Sequence, residues 1–181
     1  DGHMLWRFAS AAEVSRKPVL DGDTLLVVNA NDTLVAINKD SGKLRWYQAR
    51  EPAAGMEISG YSGPAVHGGR VYLGFSSGVV MAYEVGDGRE AWAAPIDLTV
   101  NLEQAAGDEV RYFDVDTTPR IAEVGARKDP YLFVASYEGG VFALDARTGA
   151  QIWNNDGATG VTELTLWRGR ARPRRGAASA W

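Results

Sequence analysis

Cysteine is absent from this 181-residue chain, and histidine occurs only twice. The first absence excludes disulfides, thiolate nucleophiles and cysteine-ligated zinc, and it leaves the compartment unread from redox chemistry, since cytoplasm and periplasm both tolerate it. His3 stands in Asp-Gly-His-Met, residues 1–4, which read as a vector-derived remnant. His67, in the turn-like Val-His-Gly-Gly-Arg, reads as a solvated side chain rather than a ligand or a base. No apolar run approaches the ~20 residues of a membrane-spanning helix, and no basic-then-apolar leader pattern opens the sequence. Stretches with helical spacing of apolar residues are missing as well. Positive charge is unevenly placed: Arg168, Arg170, Arg172, Arg174 and Arg175 cluster near the end, and setting them aside from the net −4 leaves a body of about −9. So acidic a body is a poor match for nucleic acid.

What is present is a repeat. The chain is 45% hydrophobic, with 21 glycines and six tryptophans, a balance that favours a turn-rich β protein. Three segments align without gaps: AINKDSGKLRW (36–46), AYEVGDGREAW (82–92) and ALDARTGAQIW (143–153). Each opens on alanine (Ala36, Ala82, Ala143) and puts a side-chain oxygen at the third position (Asn38, Glu84, Asp145). Each has glycine at the seventh (Gly42, Gly88, Gly149) and closes on tryptophan (Trp46, Trp92, Trp153). Trp6, in Leu-Trp-Arg-Phe, echoes the end of a further unit.

The pattern fits a β-hairpin whose polar third residue can bond turn amides and whose glycine supplies a left-handed backbone. Two more strand-like runs precede each hairpin, among them TLLVVNAND, RVYLGFSSG and PYLFVASYEGG, which makes four short strands per unit. Four-stranded antiparallel units at intervals of ~40–50 residues are the signature of β-propeller blades. The near-continuous apolar runs TLLVV, VYLGF and YLFVA suit strands covered on both faces. A β-sandwich is the alternative.

The Ala-x-Asp-x-x-Thr-Gly-x-x-x-Trp pattern, fullest in ALDARTGAQIW, resembles the PQQ-type propeller repeat of quinoprotein dehydrogenases and of the BamB family of outer-membrane assembly lipoproteins. The run Asp-Val-Asp-Thr-Thr-Pro, 114–119, ahead of the third blade resembles the BamB family in particular. The likeness covers roughly residues 5–166. It implies an all-β, quinoprotein-dehydrogenase-like propeller of three full blades (approximately 14–48, 60–94 and 114–154) with flanking strands at 5–9 and 161–167. It also implies a non-catalytic periplasmic scaffold, without cofactor or metal, that docks on a BamA-like insertase and aids assembly of outer-membrane β-barrels. A lipid anchor in the full-length protein stays open.

Within that family the docking patch has two loops. One carries the aspartate pair that matches Asp114 and Asp116; the other, a Leu-x-Leu-Arg loop, aligns with Met56 to Ser59. Met56 and Ile58 keep the apolar character, whereas Ser59 replaces the arginine. The carboxylates would accept from basic or amide groups on the partner, and the two apolar side chains would form the desolvated centre. Asp114 and Asp116 could equally serve only to cap a loop before an inner strand. A dehydrogenase-like enzyme or quinone binder is the runner-up, but it would bring a vicinal cysteine pair that this sequence lacks. A generic propeller for peptide or polysaccharide is the third reading. The inserted stretch 97–113 reads as a projecting loop, and 59–64 as a flexible lead-in to the second blade.

After Trp167 the repeat stops. RGRARPRRGAASAW, residues 168–181, has no aliphatic side chain larger than alanine and reads as a disordered or non-native tail with no strand. Blades left open at their edges expose strand surface, so self-association is a further expectation.

Overall fold

The computed structural model describes residues 2–50, 62–96, 115, 117–137, 139–167 and 170–175. Those residues build three four-stranded antiparallel sheets and a two-stranded hairpin. The first blade holds β1 (Val19–Asp21), β2 (Thr24–Asn29), β3 (Thr33–Asn38) and β4 (Leu44–Ala49). The second holds β5 (Ala65–His67), β6 (Arg70–Gly74), β7 (Val79–Glu84) and β8 (Glu90–Pro95). In the third, β9 (Arg120–Val124), β10 (Asp129–Ser136), β11 (Gly140–Asp145) and β12 (Gln151–Asn155) follow the same plan. Within each sheet the strands pair in chain order, the meander of a propeller blade.

Each blade starts directly after a proline: Pro18, Pro64 and Pro119 precede β1, β5 and β9. Proline lacks the donor that a central strand needs and fits the lead-in to an edge strand. The two middle strands are the buried ones, with Leu34, Val71, Leu73, Val80, Leu132 and Val134 fully covered. Their side chains meet from blade to blade. Leu26, Leu34 and Ala36 of the first blade pack with Val71, Leu73, Met81 and Tyr83 of the second. Tyr72, Val80, Ala82 and Trp92 of the second pack with Leu132, Val134, Phe142 and Leu144 of the third. Each fully buried aliphatic or aromatic side chain contributes about 1.5–3 kcal/mol, so these two seams carry most of the stabilisation.

The seams also share a lock. The outer hairpin of every blade contains a bulge: Ala36, Ala82 and Ala143 pair with Trp46, Trp92 and Trp153, after which the register slips by one. The extra residue (Arg45, Ala91 or Ile152) re-aims the tryptophan, as bulges do. Trp46 then lies on Gly88 of the next blade and Trp92 on Gly149, while Trp6 lies on Gly42. Each indole N–H donates to the carbonyl three residues before that glycine, at Lys39, Val85 and Ala146, over 2.7, 2.9 and 3.1 Å. A Cβ on Gly42, Gly88 or Gly149 would come within 2.6 Å of the indole, and each has φ near +70°. Space and backbone therefore both demand glycine.

Two expectations are corrected. Residues 5–9 form no strand; they deliver Trp6 to Gly42. The arginine-rich stretch is not without a strand either. β13 (Val161–Trp167) and β14 (Arg170–Arg175) pair antiparallel from Val161↔Arg175 to Trp167↔Arg170. The cause is β13, whose Val161 and Leu164 are buried against Phe133, Ala135, Val141 and Ala143 of the third blade. Once β13 is anchored, β14 needs only its backbone to pair, and charged residues with a proline, Pro173, are what an edge strand tolerates.

Candidate docking site

The lead-ins to the second and third blades lie side by side, held by small polar side chains. Ser62 is buried, and its hydroxyl donates to the Thr117 carbonyl at 3.0 Å while accepting from the Gly74 amide at 3.0 Å. The Gly63 amide donates to Thr118 Oγ1 at 3.0 Å. Thr117, fully buried, bonds β10 twice: its hydroxyl accepts from the Ala135 amide at 2.9 Å and donates to the Ala135 carbonyl at 3.2 Å. Buried hydroxyls of this kind are stable only when satisfied, and these are. Val115 completes the junction. It is 1% exposed, its amide donates to the Phe75 carbonyl at 3.3 Å, and it fills the space over Gly74, where a Cβ would sit 2.3 Å from Val115 Cγ1.

The four candidate contact residues Met56, Ile58, Asp114 and Asp116 lie outside the described residues, as do 97–113 and 59–61. Ser62, directly after 51–61, and Val115 and Thr117, on either side of Asp116, belong to one hydrogen-bonded cluster. His67 lies in β5, half-buried, at the turn into β6.

A second tie joins the first two blades. Asp32 has φ of +48°, where its neighbours' equivalent turns use glycine, and its buried carboxylate accepts from the Ser76 amide at 3.2 Å and from the Ser76 hydroxyl. A cleft of about 530 Å³ on the same seam is lined by Gln48, Arg50, Ser77, Tyr83 and Glu90, with Arg50 paired to Glu90 at 3.5 Å. Burial pushes the Tyr83 hydroxyl above its ordinary range, which keeps it neutral beside Arg50. Opposite charges already satisfy one another there. Among the described residues no group of three or more histidine, aspartate or glutamate side chains could hold a metal ion.

Sequence reasoning missed the stitch between the lead-ins and the bulge before each tryptophan. The stitch had a signal: Ser62-Gly63-Pro64 and Thr117-Thr118-Pro119 repeat a hydroxyl residue two places before the blade-opening proline. The bulge had none, because the ungapped alignment of the three hairpins is silent on register.

Comparison with known proteins supplies the family. The chain is 28% identical to the outer membrane protein assembly factor BamB of Yersinia pestis over 86% of its own length and 37% of that relative's. It thus spans little more than a third of that protein. The crystal structure of BamB from Moraxella catarrhalis superposes with a TM-score of 0.72 at 24% identity, covering 91% of this chain and 46% of that one. A quinohemoprotein alcohol dehydrogenase from Pseudomonas putida HK5 shares the fold at a TM-score of 0.54 and 22% identity, over 75% of this chain and 19% of that one. A family model described as outer membrane protein assembly factor BamB matches residues 1–171, so the chain belongs to the BamB family.

Proposed function

We propose that the chain is part of a non-catalytic periplasmic scaffold that aids assembly of outer-membrane β-barrel proteins, and that Asp114, Asp116, Met56 and Ile58 form its contact with the periplasmic domains of a BamA-like insertase. Membership of the BamB family supports the general role. The specific contact is supported by one observation: Ser62 bonds Thr117 at 3.0 Å, so the residue after 61 and the residue after Asp116 are held together. Two carboxylates beside two apolar side chains suit a partner that offers basic or amide donors around an apolar centre. Ser59, where the family has arginine, removes one donor from this side.

A pull-down with the periplasmic domains of a BamA-like protein tests the proposal. Replacing both aspartates, Asp114→Ala with Asp116→Ala, is expected to weaken capture by about tenfold or more. Capture that is unchanged by the double substitution would refute the site.

A further inference from the structure

The blades repeat one plan, so a side chain at the first seam has a counterpart at the second that shows what the fold alone requires. Between the first and second blades lies the cleft of about 530 Å³ that Gln48, Arg50, Ser77, Tyr83 and Glu90 line. Counted from the alanine and tryptophan of the repeat, Gln48 corresponds to Ala94, Arg50 to Ile96, Tyr83 to Leu144 and Glu90 to Gln151. The backbone agrees. The Arg50 amide donates to the Asp32 carbonyl at 3.2 Å and the Ile96 amide to the Gly78 carbonyl at 3.0 Å, each acceptor four residues before the alanine of its blade. At the second seam the place is core: Ile96 is 6% exposed and packs with Val115, Phe142 and Leu144. A seam of this repeat therefore closes without a guanidinium, a carboxamide or a phenol at these positions, and the first seam carries all three around a cavity.

The two charges of the cleft balance at long range. Arg50 Nη2 and Glu90 Oε2 stand 3.5 Å apart on half-exposed side chains, and the same Nη2 donates to Met81 Sδ at 3.3 Å, a weak acceptor. Such a pair adds little to stability, less than an isoleucine buried in its place. Gln48 spends its amide N–H on the Gly88 carbonyl at 2.9 Å, and among the described residues neither its side-chain carbonyl nor the Ser77 hydroxyl has a partner. The cleft thus sets one guanidinium against a carboxylate, an amide carbonyl and a hydroxyl, with Ala49 and Val79 as apolar lining.

We propose that this cleft binds a zwitterion of the α-amino acid class, with Arg50 holding the carboxylate and Glu90, Gln48 and Ser77 taking the ammonium. A lone anion would meet Glu90 and a lone cation would meet Arg50, whereas a zwitterion answers both charges and keeps the cleft neutral. The guanidinium fork matches a carboxylate in two parallel bonds, and an ammonium brings three donors to three acceptors. Opening a half-exposed pair costs little, so the ligand exchanges one long contact for two short ones. The volume lies within the range of small-molecule sites, and Ala49 and Val79 suit a short apolar side chain. None of the four residues proposed for the insertase contact takes part.

Titration calorimetry of the 181-residue chain with leucine, N-acetyl-leucine, leucinamide and phosphoethanolamine tests this. Leucine is expected to bind more tightly than either blocked form, each of which lacks one charge, and more tightly than phosphoethanolamine, the zwitterion of a lipid headgroup. Arg50→Gln should weaken leucine and N-acetyl-leucine by about tenfold or more without weakening leucinamide. Glu90→Gln should weaken leucine and leucinamide by as much without weakening N-acetyl-leucine. Arg50→Ile, which copies the second seam, is expected to abolish binding and to leave the thermal midpoint at or above that of wild type. A chain that binds no leucine at millimolar concentration, equal binding of the blocked forms, or tighter binding of phosphoethanolamine overturns the proposal. So does a lowered midpoint in Arg50→Ile, which would assign the charge to the fold.

Discussion

Trp92 and Trp153 occupy equivalent places in consecutive blades, yet one is 9% and the other 41% exposed. Trp92 lies on Gly149, gives its N–H to the Ala146 carbonyl and meets the Tyr72 ring at 5.9 Å; Trp153, among the described residues, meets the Phe133 ring at 6.0 Å and lies on no glycine turn. The two hairpins have the same bulge and the same alanine partner, so nothing local separates them. What differs is the next blade's turn. The repeat motif is thus half of an interface, and its tryptophan becomes core only where a glycine turn from elsewhere closes over it. A blade of this kind is stabilised from its neighbour more than from within, the general behaviour of stacked repeats.

The comparison can be broken most directly at the closed seam. Trp92→Ala is expected to cost about 3–5 kcal/mol in chemical denaturation, as for other buried aromatic deletions, whereas Trp153→Ala in the dilute chain should cost less than about 1.5 kcal/mol. Equal losses would mean that the blade-to-blade lock does not hold the fold. Gly149→Ala attacks the same seam from the other side. It combines a left-handed backbone at φ +76° with a methyl 2.6 Å from Trp92, and about 2–4 kcal/mol is expected.

The lead-in stitch is the next weaker tie. Ser62→Ala leaves the Gly74 amide and the Thr117 carbonyl without their partner in a buried place, for an expected loss of about 1–3 kcal/mol. Hydrogen exchange should then show faster exchange at Gly74 while the Ala135 amide, held by Thr117, stays protected. Uniform acceleration at both sites would show that the stitch is not a local element.

The three ungapped hairpins made the blades legible, because a repeat that places glycine and tryptophan at fixed offsets encodes both the turn and its neighbour's pocket. The β14 strand was hidden for a physical reason. Arg170–Arg175 has no apolar face of its own, and its pairing is dictated by Leu164 and Val161 on the partner strand, which packing rather than composition decides. The lost strand at 5–9 is the converse: Leu-Trp-Arg-Phe has strand-like residues but serves to carry one indole. At the candidate site the aspartate run was visible in the sequence, whereas its link to Ser62, 55 residues earlier, is a tertiary fact.

The smallest expected effect concerns pH and the turn that Trp92 covers. Burial raises the Asp145 carboxyl, but the Arg147 amide at 2.7 Å and the Arg147 guanidinium at 3.4 Å outweigh it and hold the group below its usual 3.8. A carboxyl depressed in the folded state stabilises fully above the unfolded value and loses that contribution as pH falls through the folded one. Stability carried by this turn should therefore be flat at neutral pH and decline below about pH 4. The first blade offers the control, since Asn38 at the matching position bonds the Asp40 and Ser41 amides at 3.2 and 2.9 Å without a charge. Asp145→Asn is expected to keep the Gly149 turn and its hold on Trp92 and to flatten only the acid slope. Denaturation midpoints measured across the acid range decide it: an unchanged slope in the variant would place the acid sensitivity in other carboxylates, and a large loss at neutral pH would mean that the charge, rather than the amide bond, forms the turn.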